Sequence, residues 1–295
     1  MQGLDWDLLR TFSVIAGEAS LTRAGALLKV SAQTVSRRLA ELEAITGVRL
    51  IARSLEGYSL TPAGERLSRQ LEGMRLEAVR IESVIAEIRD KPVGTVRLSI
   101  TEVLSGPWLM GAIGEFNRRY PEIMLEIRVD GWPASVRRRE ADIVLRLYGP
   151  GNENLVGRKV GRLGVGVYAS KAYGRAHGLP KTREEWDGHS SIGLVGEGPL
   201  MEWFDSVSRH SRRVLQCSSN TDLMAAARAG LGFAPLMCIS GDPDKSLVRV
   251  LPEKLRSSTE IWMLSHPDLV DAPQIRAVLD FIAEQAKKDQ VRLLG

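Results

Sequence analysis

Cysteine is scarce in this chain: Cys217 and Cys238 are the two in 295 residues. So few thiols exclude a disulfide-stapled framework, and the pair lacks metal-ligand spacing, so buried free thiols in a reducing cytoplasm are expected. Histidine is also rare. His177, His189, His210 and His266 occur singly, with no pair at helical or hairpin spacing, which leaves metal catalysis without a foothold. No apolar run reaches the ~18 residues of a spanning helix, and the mean hydropathy is −0.09. The opening Met1-Gln2-Gly3-Leu4-Asp5-Trp6-Asp7 is acidic where a signal peptide would be basic and then apolar. The pattern predicts a cytoplasmic protein with no membrane association.

What is present is ordinary globular composition, 44% hydrophobic and 26% charged, which argues against wholesale disorder. The length exceeds what one core organises well, so more than one domain is expected.

Catalytic patterns are weak. Gly188-His189-Ser190-Ser191-Ile192-Gly193 resembles a nucleophile elbow, but its glycines are one residue too far apart and no strand precedes it. Gly164-Val165-Gly166-Val167-Tyr168-Ala169 mimics a dinucleotide fingerprint, yet its glycines fall inside an apparent strand, which reads as close packing. No enzyme activity, metal or cofactor is expected.

The net charge is +4, and it is concentrated. Residues 20–70 hold eight basic side chains (Arg23, Lys29, Arg37, Arg38, Arg49, Arg53, Arg66, Arg69) against four acids (Glu41, Glu43, Glu56, Glu65), an excess compatible with a polyanion surface. Leu4, Leu8, Leu9, Phe12 and Ile15/Ala16 recur at helical spacing and predict a first helix ending near Gly17. Ser20 caps a second helix, with small residues Ala24, Gly25 and Ala26 for close approach to a neighbour. Ser31 caps a third, which turns Val35, Leu39, Leu42 and Ile45 inward and leaves Gln33, Thr34, Arg37, Arg38 and Glu41 outward. Two helices joined by a short turn, the second carrying polar and basic groups, make a helix-turn-helix. Gln and Arg suit base edges and phosphates; a solvated amphipathic helix is the plainer alternative. Short apolar runs at 47–53 and 58–61, broken by Ser54-Leu55-Glu56-Gly57, predict a two-stranded wing with Arg53 at its edge.

Thr61-Pro62-Ala63-Gly64-Glu65 combines an N-cap, a proline at the first helical position and an early carboxylate, a strong helix start. From there Leu67, Leu71, Met74, Ala78, Ile81, Ile85 and Ile88 form a heptad seam for about three heptads. A helix over 62–90 would run on the order of 40 Å. It either packs on its own domain or pairs with a second copy, and pairing would let two reading heads address two half-sites.

Beyond the Pro92-Val93-Gly94 break, strands are expected at 95–100, 124–129 and 142–147, with a helix over 108–120, calling for a parallel-rich sheet. A second set follows at 164–169, 191–194, 213–217, 232–236 and 261–264, with helices from Asn220 and from Pro273. Two α/β lobes are the natural reading. Ligands bind such folds outside the carboxyl ends of strands, often at helix N-termini. That nominates Thr101, Glu102 and Ser105 after the first strand, Trp132 after the second, Arg146 and Tyr148 after the third, and Asn220 and Thr221 at a helix start. For any one of these, ordinary loop capping competes with ligand contact. Thr101, Ser105, Asn220 and Thr221 would suit a small organic acid, beside which Glu102 is an awkward neighbour. Arg137-Arg138-Arg139 reads as a solvated face.

These motifs carry a resemblance. Phe12, Ser20-Leu21-Thr22-Arg23-Ala24, Thr34-Val35-Ser36-Arg37-Arg38-Leu39, Gly47-Val48-Arg49-Leu50-Ile51-Ala52-Arg53 and Leu60-Thr61-Pro62-Ala63-Gly64 resemble the winged helix-turn-helix of LysR-type transcriptional regulators, which often have Gln-Pro where this chain has Ala32-Gln33. Phe116-Asn117-Arg118-Arg119-Tyr120-Pro121, the 140–147 segment and Ala229-Gly230-Leu231-Gly232-Phe233-Ala234 resemble, more loosely, the family's two-lobed effector domain, like that of periplasmic solute-binding proteins. The resemblance implies an α+β multidomain chain: a winged helix-turn-helix over 1–61, a coiled-coil linker helix over 62–91, and a two-lobed α/β effector domain over 92–295. Its lobes would comprise about 92–163 with 266–295, and about 164–265. It further implies Thr22, Ser31, Gln33, Thr34, Ser36, Arg37, Arg38 and Arg53 as the set facing double-stranded DNA, a small-molecule effector that is frequently a carboxylate, and a homotetramer, where the seam itself speaks for a homodimer. An exported solute-binding module and an enzyme with a fused regulatory head are the competing readings; the first needs no reading head and the second needs a catalytic constellation.

Overall fold

The computed structural model describes residues 5–18, 20–54, 57–89, 91–129, 141–151, 155–182, 185–196, 198–251 and 256–295. Leu4, Trp132 and Arg137-Arg138-Arg139 lie outside them. The fold divides into two units, Met1–Glu82 and Ser83–Gly295.

In the first unit, α1 (Trp6–Glu18) buries Leu8, Leu9, Phe12 and Ile15, the stripe its spacing predicts. Helix α2 (Leu21–Leu28) starts at Ser20, whose side chain accepts from the Arg23 N–H, and buries Ala24 and Gly25. Ala26 is exposed, so close approach uses two of the three small residues. Helix α3 (Ala32–Thr46) starts at Ser31, buries Val35, Leu39 and Leu42, and stops at Gly47 in the left-handed region. Ile45 is 52% exposed, contrary to its expected inward position. The last turn is instead tied down by Glu43, whose carboxylate accepts from the Leu50 N–H at 2.7 Å and the Ile51 N–H at 3.2 Å.

The wing is shorter than its apolar runs predict. Its first strand, β1 (Ile51–Ser54), starts at Ile51, the second of the two residues Glu43 holds, and pairs antiparallel with β2 (Gly57–Leu60), Arg53 opposite Tyr58. Thr61 then caps α4 (Pro62–Arg89), its hydroxyl accepting from the Gly64 N–H at 3.1 Å and donating to the Arg49 carbonyl at 2.7 Å. A Cβ on Gly64 would lie 2.0 Å from the Leu50 carbonyl oxygen, so wing and helix meet only because this residue has no side chain. Leu67 and Leu71 pack on the head's own core. Farther along, Met74, Ile81, Val84, Ile85 and Ile88 are exposed.

The second unit opens with β3 (Gly94–Ile100), then α5 (Glu102–Leu104), a single π turn over Ser105–Leu109, α6 (Met110–Arg119), β4 (Ile123–Val129) and β5 (Ile143–Arg146). The helical stretch thus begins at Glu102, earlier than its expected start at Trp108. Next come β6 (Val156–Ser170), α7 (Lys171–His177), β7 (Ser190–Leu194), α8 (Pro199–Ser208), β8 (Arg212–Cys217) and α9 (Asn220–Arg228). The chain ends with β9 (Ala234–Met237), α10 (Cys238–Gly241), β10 (Leu247–Val250), β11 (Arg256–Ser265), α11 (Pro273–Lys288) and α12 (Gln290–Leu294).

The main sheet runs β10-β6-β11-β5-β3-β4, with β9 also against β6, and β7-β8 form a second, smaller sheet. Strands β3-β4, β3-β5 and β7-β8 pair parallel, whereas β6, β9, β10 and β11 pair antiparallel. The expected parallel-rich sheet is therefore mixed. Both β6 and β11 start earlier than expected because their first halves are polar ribbons, with Arg158, Lys159 and Arg162 facing Met263, Trp262 and Glu260 across the ladder. Neither half shows the apolar run by which a buried strand is read.

Strand β6 feeds two cores by simple alternation. Val167 and Ala169 join Tyr173, Trp186, Phe204 and Phe233 on one face, while Tyr168 joins Ile192, Leu223, Ala227 and Leu236 on the other. Across the sheet Val96, Leu98 and Ile100 are buried, as are Phe116 and Phe281, whose rings meet at 5.1 Å. Cys238 is a buried free thiol; Cys217 is only half-buried, at the end of β8.

Candidate nucleic-acid interface and ligand crevice

The head presents α3 with one face in the core and the other turned out. Opposite Val35, Leu39 and Leu42 stand Gln33, Ser36, Arg37 and Glu41, all exposed. Thr22, in the first turn of α2, is exposed too. Ser31 and Thr34 are partly occupied with each other: the Ser31 hydroxyl accepts from the Thr34 N–H at 3.1 Å, and the two hydroxyls are 2.9 Å apart. Arg38 behaves differently from its neighbour. Its Nη1 donates to the Thr11 hydroxyl at 3.4 Å and its Nη2 lies 3.7 Å from the Asp7 carboxylate. Arg53 sits on β1, and its side chain is outside what is described.

Chemically, this face offers an amide, hydroxyls, a guanidinium and a carboxylate at helical spacing. Gln pairs with adenine, Arg with guanine or phosphate, and Glu accepts from cytosine. The residue that sequence reading missed is Glu43, which fixes the wing against α3; a carboxylate accepting two backbone N–H groups has no sequence signature.

In the second unit, the predicted ligand residues fall into two groups. Thr101 follows the last residue of β3, its N–H donating to the Leu145 carbonyl at 3.2 Å, which brings the carboxyl ends of β3 and β5 together. Just beyond, the Arg146 guanidinium is buried and stacks over the Tyr148 ring, 4.5 Å from its centroid, a favourable cation–π geometry. Ser105 is buried.

The second group is built on Glu102. Its carboxylate accepts from the backbone N–H groups of Asn220 and Thr221, each at 3.1 Å, and from the Thr221 hydroxyl at 2.5 Å. The Ser219 hydroxyl, which caps α9, lies 3.4 Å away. Burial alone would push the Glu102 pKa up, but the bonds from Thr221 and Asn220 outweigh it and hold the carboxyl below its ordinary value. Glu102 thus turns neither outward nor aside: it occupies the start of α9 itself.

The two motifs that mimicked enzymes are structural. Ser191 is buried in β7, its hydroxyl accepting from Ser211 at 2.7 Å and from Arg213 Nε at 3.1 Å. Gly164 lies within β6, where a Cβ would be 2.0 Å from the Leu294 carbonyl oxygen. Among the described residues no group of three His, Cys, Asp or Glu side chains is placed to hold a metal, and no helix is long and apolar enough to cross a membrane.

Comparison with known proteins agrees with this architecture. Residues 6–65 match the bacterial regulatory helix-turn-helix of the lysR family, and residues 89–287 match the LysR substrate binding domain. The chain belongs to the LysR family of transcriptional regulators, which are not enzymes. It is 27% identical over 289 residues to the HTH-type transcriptional regulator CrgA of Neisseria meningitidis serogroup C, covering 94% of this chain and 95% of that one. An HTH-type transcriptional regulator of Xanthomonas campestris pv. campestris is 31% identical over 183 residues, 62% of this chain and 53% of that protein, so the match spans about half the length of that relative. The solved structure of CrgA, a LysR-type transcriptional regulator, superposes with a TM-score of 0.61 at 24% identity, covering 96% of this chain and 99% of that one.

Proposed function

We propose that this regulator binds promoter DNA in the cytoplasm as a homodimer, assembling further into a homotetramer, and answers a small organic acid held between two lobes of its effector domain. In this reading residues 1–61 are the DNA-binding head, 62–91 the pairing helix and 92–295 the effector domain, with lobes of about 92–163 plus 266–295 and about 164–265. Thr22, Ser31, Gln33, Thr34, Ser36, Arg37 and Arg53 face the duplex, while Arg38, expected among them, braces the head against Thr11 and Asp7. Thr101, Glu102, Ser105, Trp132, Arg146, Tyr148, Asn220 and Thr221 surround the effector.

The observation that carries the reading is the division of α3, with Val35, Leu39 and Leu42 buried beneath an exposed Gln33, Ser36 and Arg37. A supporting one is the exposure of Met74, Ile81, Val84, Ile85 and Ile88 on α4. Apolar residues recurring at this spacing suit a second helix better than water. Effector binding shifts the population of lobe arrangements by its differential affinity, and so alters the spacing of paired heads on bent DNA. Retardation of promoter fragments across a salt series tests it: saturable binding that weakens as salt rises is expected, and binding indifferent to salt and sequence overturns it.

A further inference from the structure

Glu102 makes a long-range contact across the effector domain. It stands at the start of α5, immediately after β3, and its partners begin α9, 117 to 119 positions farther along the chain. The two ends belong to different cores. Thr101 is bonded to the end of β5, within the part of the fold that holds Leu98, Ile100 and Leu145. Helix α9 contributes Leu223, Ala226 and Ala227 to the core around Tyr168 and Leu236. Strand β6 runs past both parts, pairing with β11 over one stretch and with β9 and β10 toward its end. The Glu102 carboxylate therefore ties together, by a side-chain contact, two cores that the main sheet also joins through β6.

The seat it occupies is one made for an anion. The first N–H groups of a helix have no intrahelical partner and carry the positive end of its dipole. Here the Asn220 and Thr221 N–H groups converge on one carboxylate, and the Thr221 hydroxyl adds a third donor.

We propose that Glu102 is a built-in stand-in for an anionic effector: its carboxylate latches the β3–α5 segment to the start of α9, and an acid effector enters by displacing it. This rests on the effector-crevice reading above. A carboxylate carried by the fold itself is always at hand, so a free acid meets a standing competitor. Glu102 thereby sets the threshold for response, and the chain discriminates against acids too weakly bound to win the seat.

Backbone hydrogen exchange on the full-length chain tests the latch, with acetate as the probe carboxylate and chloride as the ionic control. In Glu102→Ala the amides of Asn220 and Thr221 are expected to exchange about tenfold faster than in wild type, the loss of one closed contact. Excess acetate should restore their protection in the variant and leave wild type little changed. Glu102→Gln, which keeps the shape and one acceptor oxygen, should fall between the two, and it serves as the test if the alanine variant is poorly folded. Equal exchange in wild type and both variants overturns the latch. Acetate that protects wild type as well as Glu102→Ala, or protects neither, overturns the stand-in role. DNA retardation by the same preparations reports on the regulator reading separately: a chain that shows the exchange pattern but binds no duplex would leave the latch standing and that reading refuted.

Discussion

Arg38 leans back from α3 onto Asp7 at the start of α1, with its Nη2 3.7 Å from the carboxylate while Nη1 reaches the buried Thr11 at 3.4 Å. The adjacent Arg37 is exposed. Two arginines that are indistinguishable in sequence thus divide their work, one bracing the head and the other facing outward. Asp7 is more than half exposed, so the ion pair is solvent-screened and worth at most about 1 kcal/mol. Arg38→Ala is expected to lower the stability of the head by that order in urea unfolding, whereas Arg37→Ala should stay within about 0.5 kcal/mol of wild type. Equal losses in the two variants would show that the bracing contact is idle.

Gly64 tests how closely wing and helix are fitted. Its missing side chain leaves room for the Leu50 carbonyl, which also accepts from the Thr61 N–H at 3.0 Å. Gly64→Ala must push the backbone apart, because the obstructing atom cannot rotate away. Overpacking of this kind costs about 1–3 kcal/mol, far more than the small gain alanine brings to a helix. Thermal unfolding followed by circular dichroism should register the loss; a variant as stable as wild type would contradict the fit.

The seam on α4 separates into two parts with different expected phenotypes. Leu71 is buried in the head core, whereas Ile81 and Ile85 are exposed. A charge at Leu71 should unfold the head, while Ile81→Glu with Ile85→Glu should leave each chain folded and reduce self-association, read by sedimentation. Unchanged association in the double variant would mean that pairing uses another surface.

His189 should make the effector domain acid-sensitive. Burial, followed by the nearby His177, holds its pKa below the ordinary value, and its Nδ1 lies 3.3 Å from the Tyr173 hydroxyl, which accepts from the Ser190 N–H. The unfolded imidazole takes up a proton near pH 6.5 while the folded one resists until lower pH, so stability is full above about 6.5 and declines as pH falls below it. His189→Gln should flatten that decline in melting temperature between about pH 7 and pH 5. An unaltered slope would place the sensitivity elsewhere.

Much of this was legible in the residues themselves. Ser20, Ser31 and Thr61 announced their helices because a cap is a local device, and Val35, Leu39 and Leu42 fixed the inward face of α3 by spacing alone. What stayed hidden depends on distant partners. Ile45 looked like core until Glu43 took over the last turn, and β6 and β11 looked short because the first half of each is polar and lies against the apolar second half of the other. Glu102 was recognisable as a misfit beside an anion site, yet its role as the occupant required α9 to be brought across more than a hundred residues.

The central claim is that the outward face of α3 reads DNA, and the affinity of Arg37→Ala for a promoter duplex, measured by fluorescence anisotropy against wild type at one salt concentration, tests it most directly. The account predicts about a fivefold to hundredfold loss, equivalent to ~1–3 kcal/mol, with folding intact. Wild-type affinity in a folded Arg37→Ala protein would contradict it.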